Sequence, residues 1–429
     1  MPEIVDILPQ GFKTQIQTVT QPPADGVHPR ELHITEGATN NFPPTAKAYC
    51  DSFFPTTHTE GPFSFIDTIT TTSFSPTALH LLTWFISRCS DLSRVELAVG
   101  SELNPNAIQH LVDGLASMHG PKTLTFSDVH NTSNPQTAAQ LGRRMCVNIL
   151  VGGFKKITHL TIPEGAYIKL LHPGATLCLD SLTQLTVTPQ DRGTITGPPG
   201  TLRAPLLRNL NLPADTPLEA IEILPCMPKV STLSLTIRRL GFVGELQEFA
   251  KELATVCPKV DRLRITMITN ASDDVQLTYL QPLAKLECIS SFELVVSSVV
   301  RYGSEDLKNL LANWDHISNL VLNPSPAFII PMDPVPLPPV ECLNVVATCG
   351  PKLNSFGAFL DCSGPFNAPS RFWGDRLRLN LGSSPGPTDP DDLDDLADLL
   401  KELFPGSPLP RGNAEWITDL QDRMTETLE

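Results

Sequence analysis

One phrase of apolar and polar positions recurs along this chain: an apolar residue, two variable ones, a second apolar residue, one variable residue, and a third apolar one. Clear copies are Leu92/Val95/Leu97, Ile157/Leu160/Ile162, Leu182/Leu185/Val187, Leu207/Leu210/Leu212, Val230/Leu233/Leu235, Val260/Leu263/Ile265, Ile289/Phe292/Leu294 and Ile317/Leu320/Leu322. Weaker copies lie at Leu124/Phe126 and at Leu353/Phe356. RLRLNL, with Leu377, Leu379 and Leu381, fits its second half, and RELHI, with Leu32 and Ile34, is an early partial copy. The last two apolar positions are two apart, so they share one face of a short strand, and the first enters from the preceding turn. Each strand is too short to stand alone, which predicts a parallel sheet built by stacking successive copies.

Between the strands the period changes. Ile108, Leu111, Val112 and Leu115 recur at helical spacing, as do Leu246, Phe249, Ala250 and Leu253, and Leu307, Leu310, Leu311 and Trp314. The segment 77–89 is similar but more apolar. Ser304 is a candidate cap for the third of these helices. Leu393, Leu396, Leu399, Leu400 and Leu403 predict a late helix, and Trp416, Ile417, Leu420 and Met424 a terminal amphipathic one. The central apolar position falls at 95, 124, 160, 185, 210, 233, 263, 292, 320 and 356, with steps from 23 to 36 residues.

Most of these steps lie near the roughly 20–29-residue period of leucine-rich repeats. One helix and one strand per copy resembles the ribonuclease-inhibitor type of horseshoe. Cys89, Cys226, Cys257 and Cys349 each precede a strand phrase, which resembles the cysteine-containing repeat class and predicts small buried thiols. The expected fold is therefore an α/β solenoid, right-handed by the crossover rule, with about ten to twelve irregular repeats. Its expected organisation is an extension over 1–27, the repeat array over 28–410, and a capping helix over 411–429.

The phrases CPKVDRLRI, LSRVEL and DLADLLKELFP, with proline-rich loops, further resemble the repeat region of F-box/leucine-rich-repeat proteins, especially the large fungal families. That resemblance covers roughly residues 28–410 and implies a substrate receptor of a cullin-based ubiquitin ligase. Its F-box would hold the ligase adaptor. Here Leu8-Pro9-Gln10 is followed by a stretch without helical pattern, and strand-like sequence begins near Arg30. No F-box is expected in this segment, so an adaptor is expected as a partner only if an F-box lies upstream.

Charge narrows the partner. The chain carries 31 Lys and Arg against 46 Asp and Glu, a net −15. That argues against nucleic acid and anionic membranes, both of which need basic surface. The N-terminus lacks the basic-then-apolar pattern of a secretory signal, and no apolar run is long enough to span a bilayer. An intracellular protein, cytoplasmic or nuclear, with its 10 cysteines as thiols is expected. The sequons at Asn131 and Asn270 then count as accidental. Proline, 41 residues, falls at helix ends and in loops, as punctuation. Two loops stand out, 189–205 and 323–340, the second with Pro331-x-x-Pro334 and Pro336-x-x-Pro339. The second can form polyproline II; both are expected to be insertions between repeats.

Catalytic patterns fare poorly. Gly382-Ser383-Ser384-Pro385-Gly386 matches a nucleophile elbow, but Pro-Gly-Pro follows where a helix should start. The last histidine is His316, so no downstream base exists for that arrangement. The histidines show no metal-binding spacing, and Gly152-Gly153 lacks the flanks of a phosphate loop. The acidic run Asp389–Asp395 lacks the glycine and distal glutamate of a calcium loop and suits a helix start. No enzyme, cofactor or metal is expected, and a protein partner is. The strand register places Arg94, His159, Arg262, Arg264, Arg376 and Arg378 on the outward face, amid Thr, Ser and Asn. The arginines are candidate anchors for an acidic peptide or phosphate, unless a neighbour such as Glu293 neutralises them.

Overall fold

The computed structural model describes residues 31–34, 67–71, 86, 92–99, 122–128, 156–163, 176–188, 201–223, 229–240, 243–269, 275–327, 337–363 and 377–426. The chain divides into two compact units, Met1–Leu207 and Arg208–Glu429. Both are built on parallel strands, and every strand pairing among the described residues is parallel.

In the first unit the strands are β1 (Glu31–Ile34), β2 (Thr68–Thr71), β3 (Arg94–Val99), β4 (Thr123–Asp128), β5 (His159–Pro163), β6 (Thr176–Cys178), β7 (Gln184–Thr188) and β8 (Thr201–Arg203). Strands β1, β2, β3, β4, β5 and β7 pair in chain order, while β6 pairs with β8. Strand β2 was not expected. Its phrase has Ile66 and Ile69 but carries Thr71 where the third apolar residue belongs, and it still pairs in register, Ile69 beside Val95. The expected loop 189–205 ends in strand β8, a correction that its Gly-Thr and Pro-Gly punctuation concealed.

The second unit runs β9 (Asn209–Ala214), β10 (Thr232–Ile237), β11 (Arg262–Met267), β12 (Val275–Gln276), β13 (Ser291–Val296), β14 (Val300–Arg301), β15 (Asn319–Leu322), β16 (Ser355–Ala358), β17 (Arg378–Gly382) and β18 (Arg411–Gly412). All but β12 and β14, which pair with each other, join one sheet in chain order. Its helices are α1 (Pro217–Ile223), α2 (Val243–Val256), α3 (Ser304–Leu311), α4 (Cys342–Cys349), α5 (Pro390–Leu403) and α6 (Glu415–Glu426), with a 3-10 helix at Leu277–Lys285.

Side-chain alternation explains the core. Leu233, Leu235 and Ile237 point inward, as do Leu263, Ile265 and Met267, each 2% exposed or less. The first apolar residues of the phrase, Val230, Val260, Ile289 and Ile317, are equally buried. Also fully buried are Leu246, Phe249 and Leu253 of α2, and Leu277, Leu280 and Leu283 of the 3-10 helix that α2 contacts. Each fully buried Leu or Phe stabilises the fold by roughly 1.5–3 kcal/mol. Trp314 is 1% exposed, its ring 5.3 Å from that of Phe292, and its Nε1 donates to Leu283 O at 3.2 Å.

Polar residues tie the copies together along one line. The residue after the first apolar one donates its amide to the carbonyl of its counterpart in the preceding copy. Ser231 N reaches Arg208 O, Asp261 N reaches Ser231 O, Ser290 N reaches Asp261 O, Ser318 N reaches Ser290 O, and Asn354 N reaches Ser318 O. The hydroxyls of Ser290 and Ser318 add bonds of 3.1 and 3.0 Å to the same carbonyls. In the first unit Thr158 and Thr183 do likewise. Below the strands lies a second, buried ladder. Thr269 and Ser298 share a hydroxyl–hydroxyl bond of 3.0 Å, and Asn323 donates to Ser298 O and accepts from Val296 N.

Helix ends correct one expectation. Helix α3 is capped at Gly303, whose amide donates to the Asp306 carboxylate at 2.9 Å. Ser304 is the first helical residue instead, its hydroxyl 3.8 Å from Cys342 Sγ. Asp389 caps α5 as its side chain accepts from Asp391 N. Cys257 is fully buried, as a core thiol should be, but Cys349 is only half-buried. Cys89, Cys226 and the helical phrase at 105–118 lie outside the described residues.

Candidate functional site

The outward positions of the second unit form two rows, fixed by the strand register. One row runs Asn209, Thr232, Arg262, Ser291, Asn319, Ser355, Arg378. The next runs Asn211, Ser234, Arg264, Glu293, Val321, Gly357, Asn380, Arg411. Short polar side chains dominate the first row, and some bond laterally, as Asn319 Nδ2 does to Ser291 Oγ at 3.0 Å.

The cationic candidates have separate fates. Arg264, expected as an anchor unless a neighbour neutralised it, lies 3.5 Å from Glu293 on the adjacent strand. Arg94 pairs with Glu96 of its own strand at 2.5 Å. Both pairs are partly exposed, so each contributes at most about 1 kcal/mol, yet each removes a free cation from the face. His159 is exposed, with Nδ1 2.9 Å from Thr158 Oγ. Thr158 Oγ1 also donates to Lys122 O at 3.0 Å. Arg262 and Arg378 are exposed and have no ion pair among the described residues. Arg376 lies outside the described residues.

Arg411 is the residue that sequence reasoning missed. It follows Pro410 and belongs to a two-residue strand, too short for any periodicity. It extends the second row beyond Asn380 and is exposed, with no ion pair among the described residues. Arg378 and Arg411 converge on a cleft of about 870 Å³ lined also by Ser318, Asn319, Asn354 and Ser355. The loop from Gly406 to Leu409 forms another part of its lip. That lip is tethered, since Ser407 Oγ accepts from Leu377 N at 2.7 Å and Ser407 N donates to Phe404 O. Among the described residues no carboxylate lines the cleft.

The elbow-like phrase has a different use. Ser384 is 1% exposed, accepts from Leu360 N at 2.9 Å and donates to Leu381 O. Gly382 sits at φ +56°, and a Cβ there would meet Pro324 O at 1.7 Å. At Gly386 a Cβ would meet the Trp416 ring at 2.3 Å. Trp416 Nε1 donates to Ser384 O at 2.9 Å. Both glycines thus admit close neighbours, and the serine ties its own turn to the segment 358–360. Among the described residues no group of His, Cys, Asp and Glu is placed to hold a metal ion. No described helix is long and apolar enough to cross a membrane.

No family model matches the chain. No curated protein matches it either.

Proposed function

We propose that the chain is a leucine-rich-repeat solenoid of ribonuclease-inhibitor-like type, working as a non-enzymatic scaffold that binds a protein partner on its outward strand face. In-register parallel strands, one per repeat and separated by helices or long connections, support the repeat reading. The observation that carries the binding reading is the pair Arg378 and Arg411, both exposed and unpaired among the described residues, at a carboxylate-free cleft. Guanidinium groups left without a carboxylate in a chain of net −15 favour an acidic segment of a partner.

Degenerate peptide pools that differ only in charge test this on the full chain. The Asp/Glu-rich pool is expected to be retained over neutral and Lys-rich pools. Replacing Arg262, Arg378 and Arg411 together with Gln should abolish the preference. Equal retention of all pools, or none, would sink the reading.

A further inference from the structure

The cleft formed by Arg378 and Arg411 has a more particular chemistry than a general affinity for acid. We propose that it is a binding site for a phosphate monoester carried on a peptide, a phosphoserine or phosphothreonine of the partner. This deepens the interaction reading above and rests on it.

Three observations point there. First, the two guanidiniums stand on adjacent strands, diagonal to each other, because Arg411 pairs with Asn380 and Arg378 lies two residues before it. With strands ~4.8 Å apart and ~3.3 Å of rise per residue, their Cα atoms are about 8 Å apart. Two side chains as long as arginine can close that gap on a single group between them. A phosphate dianion offers three acceptor oxygens and nearly two charges; a carboxylate offers two oxygens and one charge. Two forked guanidiniums match the first better.

Second, the remaining lining carries no negative charge and includes neutral donors. Ser318 and Asn319 already bond within the sheet, through Ser318 Oγ to Ser290 O and Asn319 Nδ2 to Ser291 Oγ. Asn354 and Ser355 also line the cleft, neither with a side-chain hydrogen bond among the described residues. Their amide and hydroxyl are neutral donors of the kind that complete a phosphate's coordination. Third, at about 870 Å³ the cleft is far larger than one phosphate, and Leu379, Pro408 and Leu409 supply apolar wall beside the charged end. That extra space suits the residues flanking a modified side chain.

The test uses the full chain and three fluorescein-labelled degenerate pools identical except at the central residue: phosphoserine, serine and glutamate. The phosphoserine pool is expected to bind about tenfold or more tightly than the serine pool, since each charge-assisted bond is worth about 1.5–3 kcal/mol. R378Q and R411Q should each cost about tenfold, and the double variant the whole preference. K259Q, at an exposed lysine before β11 that does not line the cleft, should leave it intact. All three side chains are exposed, so the variants should keep the native melting curve, checked by circular dichroism. Glutamate bound as tightly as phosphoserine would overturn the phosphate assignment and leave the interaction reading standing. If no pool binds, both fail. Displacement by O-phosphoserine or inorganic phosphate at the peptide's own affinity would assign the cleft to a small phosphorylated ligand and overturn the peptide. Preferential binding of a single-stranded oligonucleotide would overturn it as well.

Discussion

Gly382 shows how a single residue can look catalytic and be architectural. Its φ of +56° and the Pro324 carbonyl, 1.7 Å from where a Cβ would stand, leave room for glycine alone. Gly382→Ala should therefore destabilise the fold by about 2–4 kcal/mol, from strain and forced backbone displacement. A lowered urea midpoint would register it; an unchanged one would contradict the geometry. Buried thiols give the second prediction at this scale. Burial raises Cys257 and Cys342 from the ordinary 9.0 to about 11, with the charges of Glu341 and Asp306 adding to burial at Cys342. A raised folded pKa means that the native state holds the proton more tightly than the unfolded chain does. The stability due to this is complete below about pH 9 and is lost as pH rises to about 11. The loss is on the order of 2 kcal/mol per thiol. Urea midpoints measured from pH 8 upward should fall across that window. In the Cys257→Ala/Cys342→Ala variant the fall should flatten, even though its baseline drops for lost packing.

Helix α6 is the element whose role is most open to test. It packs on α5, buries Ile417 and Leu420 to 2% and 0% exposure, and joins α5 through Arg423 and Asp394 at 2.7 Å. Deleting 414–429 uncovers the apolar side of α5, at a cost of roughly 3–6 kcal/mol for two large side chains alone. The truncated chain should bind a hydrophobic dye and unfold earlier in urea; retention of the full midpoint would show that α6 does not close this end. The same segment marks where sequence reading succeeds. Five leucines at helical spacing foretell α5, and Trp416, Ile417 and Leu420 foretell α6. The strands from β3 to β17 that carry the full phrase are equally legible, because period-two alternation is a local property of the chain. What escapes are elements defined by their neighbours. Strands β12, β14 and β18 have two residues each and exist only because another strand offers partners. The 3-10 helix did leave a mark, Leu277, Leu280 and Leu283 at a spacing of three with Pro282 inside, which a search at helical period passes over. The bonds that link the residue after the first apolar one to its counterpart in the preceding copy escape as well, since they require knowing which carbonyl lies beneath.

For the molecule as a whole, the difference between net charge and local charge is the property that decides how a ligand arrives. Of the six outward residues named from the register, two are neutralised by glutamates, Arg94 and Arg264. The cleft that matters was completed by Arg411, from a segment expected only to be a cap. An anionic peptide approaching this chain meets a net −15 at long range and two arginines at contact. These act over different distances, and salt separates them. The screening length is ~30 Å at 0.01 M and ~10 Å at 0.1 M, so added salt first removes the long-range repulsion and touches the contact pairs much less. An ordinary basic anion-binder loses association rate steadily as salt rises. Here the association rate of the phosphoserine pool should rise between about 10 and 100 mM salt, while dissociation quickens only modestly. Stopped-flow fluorescence resolves the two rates. A rate that falls monotonically from the lowest salt would mean that the ligand is steered by a basic surface other than this cleft. A rise that persists in R378Q/R411Q, with dissociation now fast, would place the repulsion in the whole molecule and the attraction in those two side chains.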